Sequence, residues 1–271
     1  MMCMFDIFQS KKSMNRIAYY HTYLTDNSAV WSSIIMEQFK VMEDSGLIGD
    51  LDVMNVTAIT QRDDRMDKFV SLCESFGFKK LKIQFIQNTL ANDADMLAGR
   101  ETNGPAVTEI PTFKWMWDDC QASDDHVLYF HSKAMTAHDK FFDSGNIEKY
   151  KQNVYWRHYL NWGVLERWRE CIKALDRNDM AGVNYREDPI AHYSGSFWWA
   201  NSSHIRRLPN PETTDWWYNI QANATDQWLR TCPIRYKDEH WATHMPETKM
   251  FNIEGAKDNP AFAITPRRIY A

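Results

Sequence analysis

Val127-Leu128-Tyr129-Phe130-His131-Ser132-Lys133 decides the fold. Four residues make a short apolar strand that runs directly into an imidazole, a hydroxyl and an ammonium. Towards the N-terminus, strands and helices alternate. Ile17 to Leu24 reads as a strand, and Ile35, Phe39 and Met42 then recur at helical spacing, with Gly46 as a stop. Val53 to Ile59 is the next strand, and Met66, Phe69, Val70, Cys73 and Phe76 mark a second amphipathic helix closed by Gly77. Leu81, Ile83 and Phe85 alternate as a third strand. A third helix spans Glu109 to Cys120, with Thr108 as its N-cap and Pro111 in the first turn, where proline is tolerated. Strand–helix repetition implies right-handed crossovers and an α/β, doubly wound, mostly parallel sheet flanked by helices. Such sheets bind ligands beyond the carboxyl ends of their strands. That rule gathers His21-Thr22, the loop after Ile59 and His131-Ser132-Lys133 on one rim.

The second half has a different character. Residues 134–150 read as a polar, mobile loop. Tyr155, Tyr159, Trp162, Leu165, Trp168, Ile172 and Leu175 trace one side of a single long helix. Met180 to Val183 and Ser196 to Ala200 are strands, Ser202 to Leu208 is a short helix, and the tail from Pro233 is irregular. The expected organisation is a leader over 1–15, one domain over 16–230 and an irregular C-terminal extension over 231–271.

His192-Tyr193-Ser194-Gly195-Ser196-Phe197-Trp198-Trp199-Ala200 is an unusual strand. Its polar half is suited to hydrogen bonding, Gly195 leaves room for a close approach, and three rings follow. Polar tip, gap and aromatic wall suit a sugar, with hydroxyls on its edges and C–H groups on its faces. The plainer reading makes Trp198 and Trp199 core residues and His192 a satisfied buried histidine. Neighbours on a strand face opposite ways, so one of the two tryptophans is expected in the core.

A chain of 271 residues, 25% charged and with net charge −5, has no basic stripe for a nucleic-acid backbone. No apolar run approaches a membrane span, so no transmembrane segment is expected. The five cysteines are scattered without metal-ligand spacing, which argues against a zinc site or disulfide framework and for reduced thiols in a cytoplasmic protein.

Tyr129-Phe130-His131-Ser132-Lys133-Ala134 resembles the Tyr-x-His-Thr-Lys-Gly segment of a group of bacterial and viral glycosyltransferases with a GT-A-like nucleotide-sugar fold. Glu109-Ile110-Pro111-Thr112 is similar to that group's Glu-Phe-Pro-Thr. His192 to Ala200 resembles its His-Tyr-Ser-Gly-Asn-Phe-Trp-Trp-Ala. Gly182-Val183-Asn184-Tyr185 and Asp226-Gln227-Trp228-Leu229 resemble its Gly-x-x-Trp and Glu-x-Trp-Ile. The matches keep their order across residues 16–230. Ser196 stands where the group has Asn, and Asp226 where it has Glu.

The resemblance implies a GT-A-like fold, a nucleotide-diphosphate sugar donor and a glycan or polysaccharide acceptor. It makes Asp226 the candidate general base, with helix capping as its plain alternative. Thr22, Glu109, His131 and Lys133 become the candidate donor contacts, Lys133 offsetting charge on the leaving diphosphate. Lys133 judged alone is an ordinary solvated lysine, and Glu109 equally suits a helix dipole. His192, Ser194, Gly195, Trp198 and Trp199 become the candidate sugar or acceptor site. GT-A-like enzymes often carry Asp-x-Asp after the strand placed here at Val127–Phe130, but this chain has His131-Ser132-Lys133. No metal ligands are assigned and no cofactor is required; Mn or Mg bound with the nucleotide sugar is the alternative. Asn92-Asp93-Ala94-Asp95 is read as a solvated turn. The rival function is a non-catalytic carbohydrate-binding protein on the same fold.

Overall fold

The computed structural model describes residues 14–60, 62–87, 108–135, 138–232 and 236–253. Asp93, Asp95 and most of the leader lie outside those residues. The strands in chain order are β1 (Arg16–Leu24), β2 (Val53–Thr60), β3 (Leu81–Gln87), β4 (His126–His131) and β5 (Met180–Gly182). Then come β6 (Tyr185–Arg186), β7 (His192–Tyr193), β8 (Trp198–Asn201) and β9 (Met250–Asn252). Seven of them form one sheet in the order β3-β2-β1-β4-β8-β5-β9, while β6 and β7 form a separate antiparallel pair. β1, β2, β3 and β4 are mutually parallel, as strand–helix repetition requires. β8 runs antiparallel to both β4 and β5, and β9 returns parallel to β5.

The sheet separates two cores, and the period of two in its strands assigns residues to them. Ala18, Tyr20, Leu128, Phe130 and Trp199 pack on one side. Tyr19, Val127, Tyr129, Trp198 and Ala200 pack on the other. Helix Ser28–Asp44 covers the first face through Trp31, Ile35, Phe39 and Met42. Asn27 caps its start by accepting a hydrogen bond from Val30 N. Gly46, at φ +77°, provides the left-handed turn that ends it. Helix Ile110–Cys120 covers the second face through Phe113, Met116 and Cys120. Its N-cap is Glu109 rather than Thr108, whose hydroxyl lies 3.5 Å from Ile110 N.

Three expectations are revised. The long helix is interrupted: Ile147–Asn161 passes through a wide π-type turn, Trp162–Glu166, into Trp168–Ala174. Gly163 lies in that turn, and a Cβ there would be 2.5 Å from Cβ of Val183, the residue after β5, closer than a side chain permits without a shift. A turn of this kind shifts the phase of the helix, which even spacing of aromatics does not reveal. Within 134–150, His138–Phe142 forms another π-type turn, where His138 stacks on Phe142, and a helix begins at Ile147. The tail, expected to be irregular, supplies the helical turn Lys237–His240, the fully buried Trp241 and β9. Its elements are too short to show a period.

Candidate functional site at the carboxyl rim

β1 and β4 lie side by side in register, with His21 opposite His131. Both imidazoles are pushed down by burial, His21 to about 4 and His131 well below its ordinary value, the Lys133 charge adding to the latter. His21 Nδ1 lies 2.8 Å from the Thr112 hydroxyl. His131 Nε2 lies 2.9 Å from the Gly195 carbonyl oxygen, an acceptor only, so the neutral ring carries its proton on Nε2. This bond ties the end of β4 to the turn at Tyr193–Ser196, closed by Ser196 N donating to Tyr193 O at 2.8 Å. Gly195 has φ +96° in that turn, and Ser196 φ +55°. A Cβ on Gly195 would lie 2.7 Å from Leu160 Cδ1 and 3.3 Å from Trp156 Cζ2. The same Trp156 indole carries Lys133, whose Nζ sits 4.0 Å from the ring centroid. Two stretches more than sixty positions apart in sequence therefore meet on one ring.

The turn that presents Lys133 is braced from behind. Arg157, buried, donates from Nη1 to the Lys133 carbonyl at 3.2 Å. It also makes a two-pronged pair with Glu37, at 2.9 and 2.8 Å. Asn161 Nδ2 adds a bond to Glu37. Gln38 donates from Nε2 to His131 O and to Asn161 Oδ1, and its Oε1 accepts from the Tyr20 hydroxyl at 2.7 Å. Burial alone would raise Glu37, but hydrogen bonds from Arg157 and His158 outweigh it and hold the carboxyl at about 2. Sequence reasoning missed Glu37, Gln38, Trp156, Arg157 and Asn161. They come from two separate helices and carry no motif, so nothing local marks them.

Three carboxyls, Glu109, Asp238 and Glu239, act on one another through their charges. Phe113 packs against Tyr129 at 4.6 Å and stacks on Trp241 at 4.9 Å. This stack brings the turn Lys237–His240 against the start of helix Ile110–Cys120. Burial, then the Asp238 and Glu239 charges, push half-buried Glu109 up to about 8, with Lys133 pulling the other way. Burial pushes Asp238 up to about 6 despite a hydrogen bond with Thr108 and the nearby Lys237. The Tyr129 hydroxyl and Asp238 Oδ2 are buried without a hydrogen-bond partner.

The residues expected from sequence fall into three groups. Lys133, His131 and Gly195 come together as described, and Ser194 precedes Gly195 in the same turn, its N donating to Asn184 O at 3.0 Å. His131 contributes no positive charge, because its ring is neutral and its N–H is spent on Gly195. Glu109 stands at the N-cap of helix Ile110–Cys120, where the Lys133 charge reaches it, and His192 lies in β7, edge-on to His240 at 4.8 Å with Nδ1 on Ile190 O. The remainder do not join them. Thr22 is fully buried in β1. Trp198 and Trp199 are both buried, one in each core, since alternate residues of β8 face opposite sides and both sides are covered. The ring at the rim is Trp156 instead. Asp226 is exposed and caps helix Gln227–Thr231, its Oδ1 accepting from Leu229 N at 2.8 Å.

The donor set at the end of β4 does not fit a divalent cation. It offers an imidazole already hydrogen-bonded, a hydroxyl and an ammonium, where a hard ion needs several oxygens. Among the described residues, no group of three or more His, Cys, Asp or Glu side chains could hold a metal ion. Cys73, Cys120, Cys171 and Cys232 are free and buried. No helix among the described residues is long and apolar enough to cross a membrane.

Fold and rim together define an α/β protein whose polar groups converge at the carboxyl ends of its central parallel strands. A family model described as "Domain of unknown function (DUF8361)" matches residues 19–250, and the chain belongs to that family. No curated protein matches it. Among solved structures it is similar to 4-diphosphocytidyl-2C-methyl-D-erythritol synthase from Anaerococcus prevotii, with 10% identity and a TM-score of 0.41. That alignment covers 94% of this chain and 93% of the other. It is too loose to carry residue roles across.

Proposed function

We propose that this protein is a glycosyltransferase, moving a sugar from a nucleotide-diphosphate donor to a hydroxyl of a glycan or polysaccharide acceptor. The observation that carries the reading is the shared indole: Trp156 carries the Lys133 ammonium over its ring and lies against the Gly195 turn. In this reading the ammonium offsets the charge that grows on the diphosphate as the glycosidic bond breaks. Anchored on a ring and braced through its carbonyl by Arg157, it is positioned before the donor arrives, so little reorganisation is needed during transfer. In this reading the sugar lies by the Trp156 ring and the Gly195 turn, with Ser194 and His192 as the candidate partners of its hydroxyls.

The test is titration of purified protein with UDP-, GDP- and dTDP-sugars by calorimetry, followed by assay of released nucleoside diphosphate. Saturable binding of one donor is expected, weakened by about 10- to 100-fold in Lys133→Met, the worth of one charge-assisted hydrogen bond. Absence of binding across the panel would refute the proposal. Sugar binding without release under any acceptor would favour a non-catalytic carbohydrate-binding protein.

A further inference from the structure

We infer that the pocket between the start of helix Ser28–Asp44 and the buried Arg157 guanidinium binds a phosphate group. This site is separate from the one assigned to the sugar donor and does not depend on the glycosyl-transfer reading.

The pocket is half-open and has a volume of about 270 Å³. Helix Ser28–Asp44 contributes its cap Asn27 and Ala29 of its first turn, and the turn after β4 contributes Ala134. His138, Tyr150 and Arg157 come from the segment beyond. Among the described residues no carboxylate lines the pocket, while a guanidinium, an imidazole, a phenol and a helix start do. Lys133, Trp156 and Gly195 are not part of its lining.

The guanidinium carries the inference. Arg157 is 5% exposed, so its charge is built into the wall rather than waving in solvent. Its fork has five N–H groups. Glu37 takes two of them, at 2.9 and 2.8 Å, and the Lys133 carbonyl takes a third at 3.2 Å. Among bonds to the described residues, one N–H on each terminal nitrogen is left for an occupant. Glu37 does not line the pocket, so the ion pair fixes the fork without placing a carboxylate in the space.

The helix start adds further donors. Asn27 Oδ1 accepts from Val30 N, while the Ser28 and Ala29 N–H groups have no carbonyl of their own helix in reach. The first turn holds no acidic residue to offset the helix dipole, which favours an anion there. Lys68 adds positive charge, its Nζ 3.3 Å from the Ser28 hydroxyl. Carboxylates close to the lining are paired: Asp26 with Arg65, and Asp143 with His138, whose Nδ1 it approaches to 3.7 Å. Donors from two elements around one small pocket suit a tetrahedral oxyanion, which accepts from several directions at once.

The experiment titrates the purified protein with inorganic phosphate by calorimetry, in about 0.15 M chloride to screen loose surface attraction. Saturable binding with a Kd of about 1 mM or tighter is expected. Ala29→Glu puts a carboxylate where it favours the helix, so the variant should fold at least as stably as the parent. It should nonetheless bind phosphate about tenfold more weakly, or worse, through like-charge repulsion. Ala29→Gln has the same length without the charge and should stay within about threefold of the parent, which separates charge from crowding. Arg157→Lys keeps the charge but not the fork and should lose about tenfold; if it does not fold, the Ala29 pair decides. Lys133→Met, at the rim, should leave phosphate affinity within about threefold. Glucose 1-phosphate run beside inorganic phosphate distinguishes the sources of the group: tighter binding of the ester assigns the site to a sugar phosphate, equal binding to the free ion. No saturation below about 10 mM phosphate, or an Ala29→Glu affinity within about threefold of the parent, overturns the site. Neither result bears on binding of nucleotide sugars at Lys133.

Discussion

Gly195→Ala tests whether the glycine turn is held against the helix that carries Trp156. The position has φ +96°, and a non-glycine residue there costs about 1–2 kcal/mol. The added methyl would lie 2.7 Å from Leu160 Cδ1. Overpacking a core costs about 1–3 kcal/mol, and the lower half applies because the atom in the way is the end of a side chain that can rotate. Restricting the unfolded chain returns about 0.4–1 kcal/mol. The net expectation is a loss of about 2 kcal/mol, a fall in melting temperature of roughly 4–8 °C for a chain of this size. Urea unfolding followed by tryptophan fluorescence measures it. A second variant separates the two causes. Leu160→Ala should cost about 1 kcal/mol less in the Gly195→Ala background than alone, because the methyl then fills part of the cavity. Gly195→Ala within about 0.5 kcal/mol of the parent would refute the reasoning, since neither the strain nor the contact could then be present.

Three further outcomes are expected. Glu37→Gln leaves the buried Arg157 guanidinium without its counter-charge and should cost about 3 kcal/mol at pH 7. The folded Glu37 carboxyl, at about 2, lies below its unfolded value, so its contribution is complete above pH 4.5 and fades as pH falls towards 2. The gap between parent and variant in urea midpoint should close over that window. His21, held at about 4 by burial, also lies below its unfolded value, so its neutral form supports the fold above pH 6.5 and loses that support as pH falls towards 4. His21→Asn should therefore flatten the stability profile between pH 7 and 4.5 by about 2–3 kcal/mol, read by denaturant unfolding at both pH values. Asp226→Ala should cost about 1 kcal/mol through loss of its cap on Leu229 N, and Asp226→Asn much less, as thermal unfolding would show.

By itself the sequence determined the alternation of strands and helices, because burial on two faces of a sheet and one face of a helix imposes periods legible in any window of ten residues. It also determined the polar triplet at the end of β4 and the glycine in the aromatic stretch, since a strand end and a residue without a side chain both leave local marks. The tertiary structure alone decided which ring forms the wall. Trp198 and Trp199 look available in sequence, but both faces of β8 are covered, and Trp156 arrives from a helix whose own spacing marks it as nothing special. It alone set the brace of Glu37, Gln38, Arg157 and Asn161, and brought Trp241, from a tail with no readable period, onto Phe113. These are contacts between residues far apart along the chain, fixed by how helices pack on the sheet, and no property of the separate segments encodes their meeting.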